Sequence, residues 1–204
     1  MLTDSRGIAA FRLNVTPNSK LILASASPRR AELLRNAGIA FEIVPAHVVE
    51  SRRAGEPAEE FVRRLAQDKA GAVAAREPSR LVLGADTEVV IEGEVLGKPR
   101  DAGDAARMLR LLSGRSHLVT TGVCLLGPGV ADTRTETTVV SFAPLSEEDI
   151  RGYIAGGEPM DKAGAYAIQG IASRWIMRLD GCYFNVVGLP VPLVYRMLRE
   201  HRAL

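Results

Sequence analysis

The sequence predicts an α/β protein with a mixed, bent sheet and flanking helices that form two lobes around a cleft. Three observations lead there. Short apolar runs alternate with helix-periodic segments through the first half of the chain. Two long β-branched runs, 117–126 and 133–142, flank a Gly127-Pro128-Gly129 turn. A glycine-rich stretch, 156–190, then precedes a closing amphipathic segment. The 204 residues are 47% hydrophobic and 25% charged, which suits one ordinary globular domain with room for a core. Residues 1–18 read as an N-terminal extension and 19–204 as the domain.

The elements follow from local chemistry. Residues 21–24 are an apolar strand. Ser27 is an N-cap and Pro28 the first helical residue, with φ preset. That helix stops at Gly38, a residue suited to the C′ position. Residues 41–44 are a strand, and Pro57 opens a helix to about residue 75, with Phe61, Leu65 and Ala66 on its buried side. Residues 81–84 form a short strand ending at Ala85-Asp86-Thr87, and 89–96 form a hairpin turning at Glu92-Gly93. Asp101 caps a helix that ends at Ser113-Gly114. Ser146, followed by Glu147, Glu148 and Asp149, is a strong helix start. In 180–190 the pattern suggests a turn, a strand and entry to the last helix, from 190 to 201.

Composition excludes several classes. A net charge of +2 is low for a dedicated nucleic-acid binder, and 5% aromatics provide few stacking platforms. Cys124 and Cys182 form no disulfide framework or zinc spacing, and Cys124 sits in an apolar run as a buried thiol. No run reaches the roughly 18 apolar residues of a membrane span, and the first eighteen residues lack a secretory h-region. A reduced, cytoplasmic setting with no membrane or nucleic-acid partner is expected.

Five places in the sequence carry candidate chemistry. In "LILASASPRR", 21–30, Arg29 and Arg30 stand at the positive end of a helix, where cations are unfavourable. Exposed backbone N–H groups and guanidinium forks both suit a visiting phosphate chain. Asp86 follows an apolar strand and is either a turn aspartate or a carboxylate facing a cleft, where α/β sheets gather ligands. Lys69 shares a helix face with Leu65 and Phe61, either snorkelling to water or aimed into a phosphate pocket. "GEVLGKP", 93–99, is not a P-loop: the glycine spacing is one residue short and Pro99 replaces the Ser/Thr. Lys98 can still meet phosphate as a point charge. In "DKAGAYAIQG", 161–170, glycines either permit a turn or let backbone approach a ligand, with Gln169 offering a donor and an acceptor together. Asn185 and Gly188 read as structural. His47, His117 and His201 show no metal or triad spacing.

Taken in order, Ser25-Ala26-Ser27-Pro28-Arg29-Arg30, Lys69, Gly84-Ala85-Asp86-Thr87, Leu96-Gly97-Lys98-Pro99, Ser113 to His117, Asp161 to Tyr166 and Ile168-Gln169-Gly170 closely resemble the Maf-type nucleoside triphosphate pyrophosphatases. The resemblance runs from about residue 20 to the C-terminus. It implies a fold similar to inosine triphosphatases, often dimeric, hydrolysing a nucleoside triphosphate to the monophosphate and pyrophosphate with Mg2+ or Mn2+. By the same resemblance Asp86 is the proton acceptor, and Arg29, Thr87 and Gln169 bear on substrate choice. Ser25, Arg30, Lys69 and Lys98 contact substrate or phosphate, and Glu50 is the cleft acid. The metal ligands are left open, with Glu50 and Asp86 as candidates; "HVVES" carries one acid where the family commonly has a pair.

Three readings of the function stand open: a pyrimidine nucleotide pyrophosphatase, a 7-methyl-GTP pyrophosphatase of the same class, and, in a different class, a nucleotide-binding regulator of cell division with little turnover. In the methylguanosine-type branch the positions of Arg29, Thr87 and Gln169 resemble tryptophan, glutamine and glutamate. An aromatic face attracts a cationic purine and a carboxylate accepts two hydrogen bonds from guanine's edge. None of the three is present here. Arg29 repels a cationic base, and the Gln169 amide suits thymine or uracil, whose N–H lies beside carbonyls. The sequence therefore predicts a preference for dTTP and UTP, with CTP weaker.

Overall fold

The computed structural model describes residues 21–204; the expected N-terminal extension lies outside the described residues. The strands are β1 (Leu21–Leu23), β2 (Phe41–Ile43), β3 (Val82–Ile91), β4 (Glu94–Leu96), β5 (Ser116–Gly127), β6 (Val130–Phe142) and β7 (Ile176–Asp180). They form one mixed sheet in the order β2-β1-β3-β5-β6-β7, with β4 on the far end of β3. β1 lies parallel to β2 and β3, and the remaining pairs are antiparallel. The helices are α1 (Pro28–Asn36), α2 (Ala58–Ala74), α3 (Ala102–Leu112), α4 (Glu147–Ala155), α5 (Tyr183–Val187) and α6 (Val191–Glu200).

Most caps stand where the sequence places them. Ser27 accepts from the Arg30 N–H, Asp101 from Asp104, and Ser146 forms a reciprocal capping box with Asp149. Gly38 takes φ +70° just past α1. Glu92 and Gly93, both at positive φ, turn the β3–β4 hairpin.

Two expectations need correction. The strand at 81–84 does not stop before Asp86. β3 is one ten-residue strand, because β5 pairs with it from Val82↔Leu126 to Val90↔Leu118. Asp86 therefore lies mid-strand, opposite Gly122. A cleft opens there because β1 pairs with β3 only as far as Leu23↔Leu83 and β4 only from Val89↔Leu96, so the β3 edge between them is uncovered from about Ala85 to Glu88. Residues 183–187 are helical, not a strand: Val186 and Gly188 donate back to Cys182 and Phe184 carbonyls. The strand of that region is β7, completing the sheet beside β6.

Two cores flank the cleft. One packs α1 and α6 on β1 and the start of β3, with Leu34, Leu83, Leu189 and Met197 fully buried or nearly so. The other packs α3, α4 and the 3₁₀ turns on the ends of β3, β5 and β6, around Leu109, Ile150, Tyr153 and Trp175. A third, smaller core seats α2 on the sheet through Ala66, Ala70 and Val73. Cys124 is a free, buried thiol in that layer. No helix among the described residues is long and apolar enough to cross a membrane.

Candidate active site

The cleft between the two larger cores has a volume of about 540 Å³. Every residue singled out above lines it: Ser25, Arg29, Arg30, Glu50, Lys69, Asp86, Thr87, Lys98 and Gln169. They come from six separate parts of the chain. What converges them is α2 lying almost on the backbone of the sheet. A Cβ on Gly84 would stand 2.2 Å from the Ala66 carbonyl oxygen, and one on Gly122 would stand 2.2 Å from that of Val62. Only glycine permits that approach, and it brings Lys69 down onto Asp86.

Lys69 is 7% exposed and does not snorkel to water. Its Nζ donates to Asp86 Oδ1 at 2.7 Å and pairs with Glu50 Oε1 at 2.5 Å. Asp86 is 6% exposed, and its second oxygen, Oδ2, is buried without a hydrogen-bond partner. Burial pushes the Asp86 carboxyl above the ordinary carboxylate range, and Lys69 and Arg30 offset this only in part. In Glu50 burial opposes ionisation, but the Lys69 hydrogen bond and charge outweigh it and hold the carboxyl below its usual value.

Arg30 is buried and spans the uncovered edge of β3. Its Nε donates to the Gly188 carbonyl at 2.8 Å and Nη1 to the Ala85 carbonyl at 2.8 Å and Ser25 Oγ at 3.3 Å. Nη2 donates to Thr87 Oγ1 at 3.1 Å. Those bonds occupy four of the five guanidinium N–H groups and leave one for a ligand. Burial lowers the Arg30 pKa, against the pull of Asp86 and Glu50. Thr87 stands behind this strut, its hydroxyl 2.9 Å from Thr121 Oγ1 and 3.3 Å from the Gly188 carbonyl oxygen. Gly188, read as structural from the sequence, thus anchors a site arginine. Asn185 is structural, donating to the Val119 carbonyl and Thr138 Oγ1.

The opposite wall is exposed. Arg29 pairs with Asp161 at 3.3 Å, and Asp161 also bonds Lys162. Lys98 and Gln169 stand at the rim, both exposed. This wall is held from behind by His117, whose Nε2 lies 2.8 Å from the Tyr166 hydroxyl, and by Tyr153, whose hydroxyl donates to Glu158 and accepts from the Ala167 N–H.

Sequence reasoning missed Glu88, which also lines the cleft. Its Oε2 is buried without a partner, and burial, then Asp86 and Glu50, push its pKa up to about 8. The missed signal was the alternation of a strand, which puts Asp86 and Glu88 on one face once β3 is read as continuous. Asp161 and Lys162 also line the cleft, and nothing in the sequence assigns them a role.

Among the described residues no group of three or more His, Cys, Asp or Glu is arranged to hold a metal. Magnesium needs no such cage, since it commonly takes one or two carboxylates plus substrate phosphates. The orphaned oxygens of Asp86 and Glu88 are hard donors that fit that requirement.

The fold and cleft define a two-lobed α/β protein with a binding site for an anionic ligand: Arg29, Arg30, Lys69, Lys98 and Lys162 line it against four carboxylates. Its fold is similar to that of the Staphylococcus aureus Ham1 protein, with a TM-score of 0.52 at 14% identity over 90% of this chain and 100% of that one. The chain belongs to the Maf family, matching "Maf-like protein" over residues 20–201. It is 60% identical over 180 residues to the dTTP/UTP pyrophosphatase of Koribacter versatilis (88% of this chain, 93% of that one). It is 53% identical over 181 residues to that of Symbiobacterium thermophilum (89% and 93%), and 51% identical over 185 to that of Salmonella typhimurium (90% and 94%).

Proposed function

We propose that the protein hydrolyses nucleoside triphosphates, dTTP and UTP above others, to the monophosphate and pyrophosphate. The observation that carries this is Asp86: one oxygen is held by Lys69, the other is buried and unpartnered, and both lie in a cation-lined cleft. Lys69 fixes the carboxylate's orientation and leaves Oδ2 as the free acceptor. Water attacks the α-phosphorus, its proton passes to Asp86 Oδ2, and the α–β bridging bond breaks with its electrons leaving on pyrophosphate. A carboxylate raised above its ordinary range is a better base toward water. The remaining Arg30 N–H and the ammonium groups of Lys98 and Lys162 are suited to the phosphates.

When bound, a divalent cation supplies further compensation for the triphosphate's charge; Mg2+ or Mn2+ belongs to this proposal. The expected homodimer belongs to it as well, on the strength of the family resemblance, and so does the cytoplasmic setting expected from the cysteine usage. Arg29, half-buried, and Gln169, exposed, stand at the mouth and are suited to meet the base. Nothing in the cleft favours 7-methyl-GTP: a guanidinium stands at its mouth, and no tryptophan lines it. Turnover in 18O-labelled water tests the bond broken. Label is expected in the nucleoside monophosphate; label in orthophosphate, with a diphosphate product, would overturn the reading.

A further inference from the structure

The proton acceptor leaves one half-buried carboxylate in the cleft without a task. Glu88 lies two residues beyond Asp86 on β3, on the same face. Its Oε2 is buried and has no hydrogen-bond partner. A Cβ at Gly97 would lie 3.9 Å from that atom, so the carboxylate sits beneath the loop that carries Lys98. Lys69 is already shared between Asp86 and Glu50, so it does not neutralise Glu88 by direct contact. A carboxylate oxygen buried without a partner costs free energy unless a proton or a cation binds it. The other acid, Glu50, is half exposed and has Oε1 on Lys69.

We propose that Glu88 is a protein ligand of the divalent cation, holding it together with substrate phosphate oxygens and leaving Asp86 Oδ2 free for the proton. The inference rests on the pyrophosphatase reading. It assigns the cation to a residue of β3 that the sequence motifs do not include, with one carboxylate plus phosphates being a usual magnesium arrangement. Two variants separate ligation from a general charge effect. Glu88→Gln removes the charge and keeps the shape. Glu88→Asp keeps the charge and withdraws the carboxylate by one methylene.

The test is Mn2+ binding followed by the loss of the free-ion EPR signal, with saturating α,β-imido-dUTP and the full chain. Nucleotide alone gives the baseline, and circular dichroism checks folding. Changes even to groups that orient a ligand cost roughly 10- to 100-fold in metal affinity. Both variants should therefore weaken protein-dependent Mn2+ binding by at least about tenfold. Weakening in Glu88→Gln with wild-type affinity in Glu88→Asp would show a charge effect and overturn ligation. Equal affinity in all three proteins, including no protein-dependent binding in any, would also overturn it. If Glu88→Gln does not fold, Glu88→Asp decides alone: tenfold weakening supports ligation and wild-type affinity refutes it. The labelled-water experiment fails or succeeds on wild-type protein, so loss of the pyrophosphatase reading is distinguishable from loss of this one.

Discussion

The wall of the cleft built from β1, α1, α2 and β3 holds Lys69, Asp86 and Arg30 in buried hydrogen bonds, whereas the wall from residues 158–171 carries Asp161 and Gln169 at the surface, on and between 3₁₀ turns. On the first wall Lys69, Asp86 and Arg30 are all less than a tenth exposed or at that limit, and each is bonded to fixed partners. On the second, Asp161 and Gln169 are exposed, and the Arg29–Asp161 pair is accessible to water. Buried charges held by fixed partners set geometry before substrate arrives, which is what a proton transfer and a phosphate grip require. Exposed groups on short turns adapt, which suits recognition of a base. Position one wall wrongly and chemistry stops; alter the other and selectivity changes.

The largest effect should come from the first wall. Asp86→Asn keeps the shape but removes the proton acceptor, and kcat should fall by roughly 10²–10⁴ while nucleotide affinity is largely kept. Single-turnover rates with a separate binding titration check this; near-normal turnover in a folded variant would place the base elsewhere. Lys69→Met should remove the partner of two carboxylates at once. Breaking a buried pair by deleting one member costs about 3–5 kcal/mol, measurable by urea unfolding, and turnover should fall with it. A loss under about 1 kcal/mol would mean the pair is not buried in solution.

The second wall should respond more mildly. His117 is 2% exposed, and burial lowers its pKa from 6.5 to about 4. A depressed folded value means the unfolded chain binds the proton first, so stability is full above about pH 6.5 and is lost as pH falls toward 4. From about pH 7.5 to 5 the wild type should lose on the order of 2 kcal/mol that His117→Gln does not lose. Parallel unfolding curves for the two proteins would show that His117 titrates normally and does not anchor Tyr166. Gln169→Glu should leave stability within about 0.5 kcal/mol, since the position is exposed. It should lower kcat/KM for dTTP about tenfold by replacing the amide donor with a second acceptor. An unchanged dTTP-to-CTP ratio would remove Gln169 from base recognition.

The first wall was also the more legible one. Its signals are local: Ser27-Pro28 starts a helix by capping chemistry, and the Lys69 register follows from 3.6-residue periodicity. Even there the sequence did not show what holds Arg30, four of whose donors go to the carbonyls of Ala85 and Gly188 and to the hydroxyls of Ser25 and Thr87. Those partners lie up to 158 residues away, and no local pattern announces them. The 156–190 segment hid β7 and α5, because 3₁₀ turns with positive-φ glycines have no period to detect.

By itself the sequence determined the α/β class, the helix starts, the hairpin turn and the residue types that collect in the cleft. Each depends on near neighbours: a cap three residues from the N–H it accepts from, a face repeating every turn, a glycine where φ is positive. Only the tertiary structure decided that β3 runs through Asp86, because its length is set by pairing with β5, more than thirty residues on. The same pairing places Glu88 beside Asp86, and α2 resting on Gly84 and Gly122 leaves one Asp86 oxygen on Lys69 and the other free. Whether a carboxylate is a turn residue or a base is decided by burial and by which of its lone pairs are already taken, and both depend on packing between distant segments.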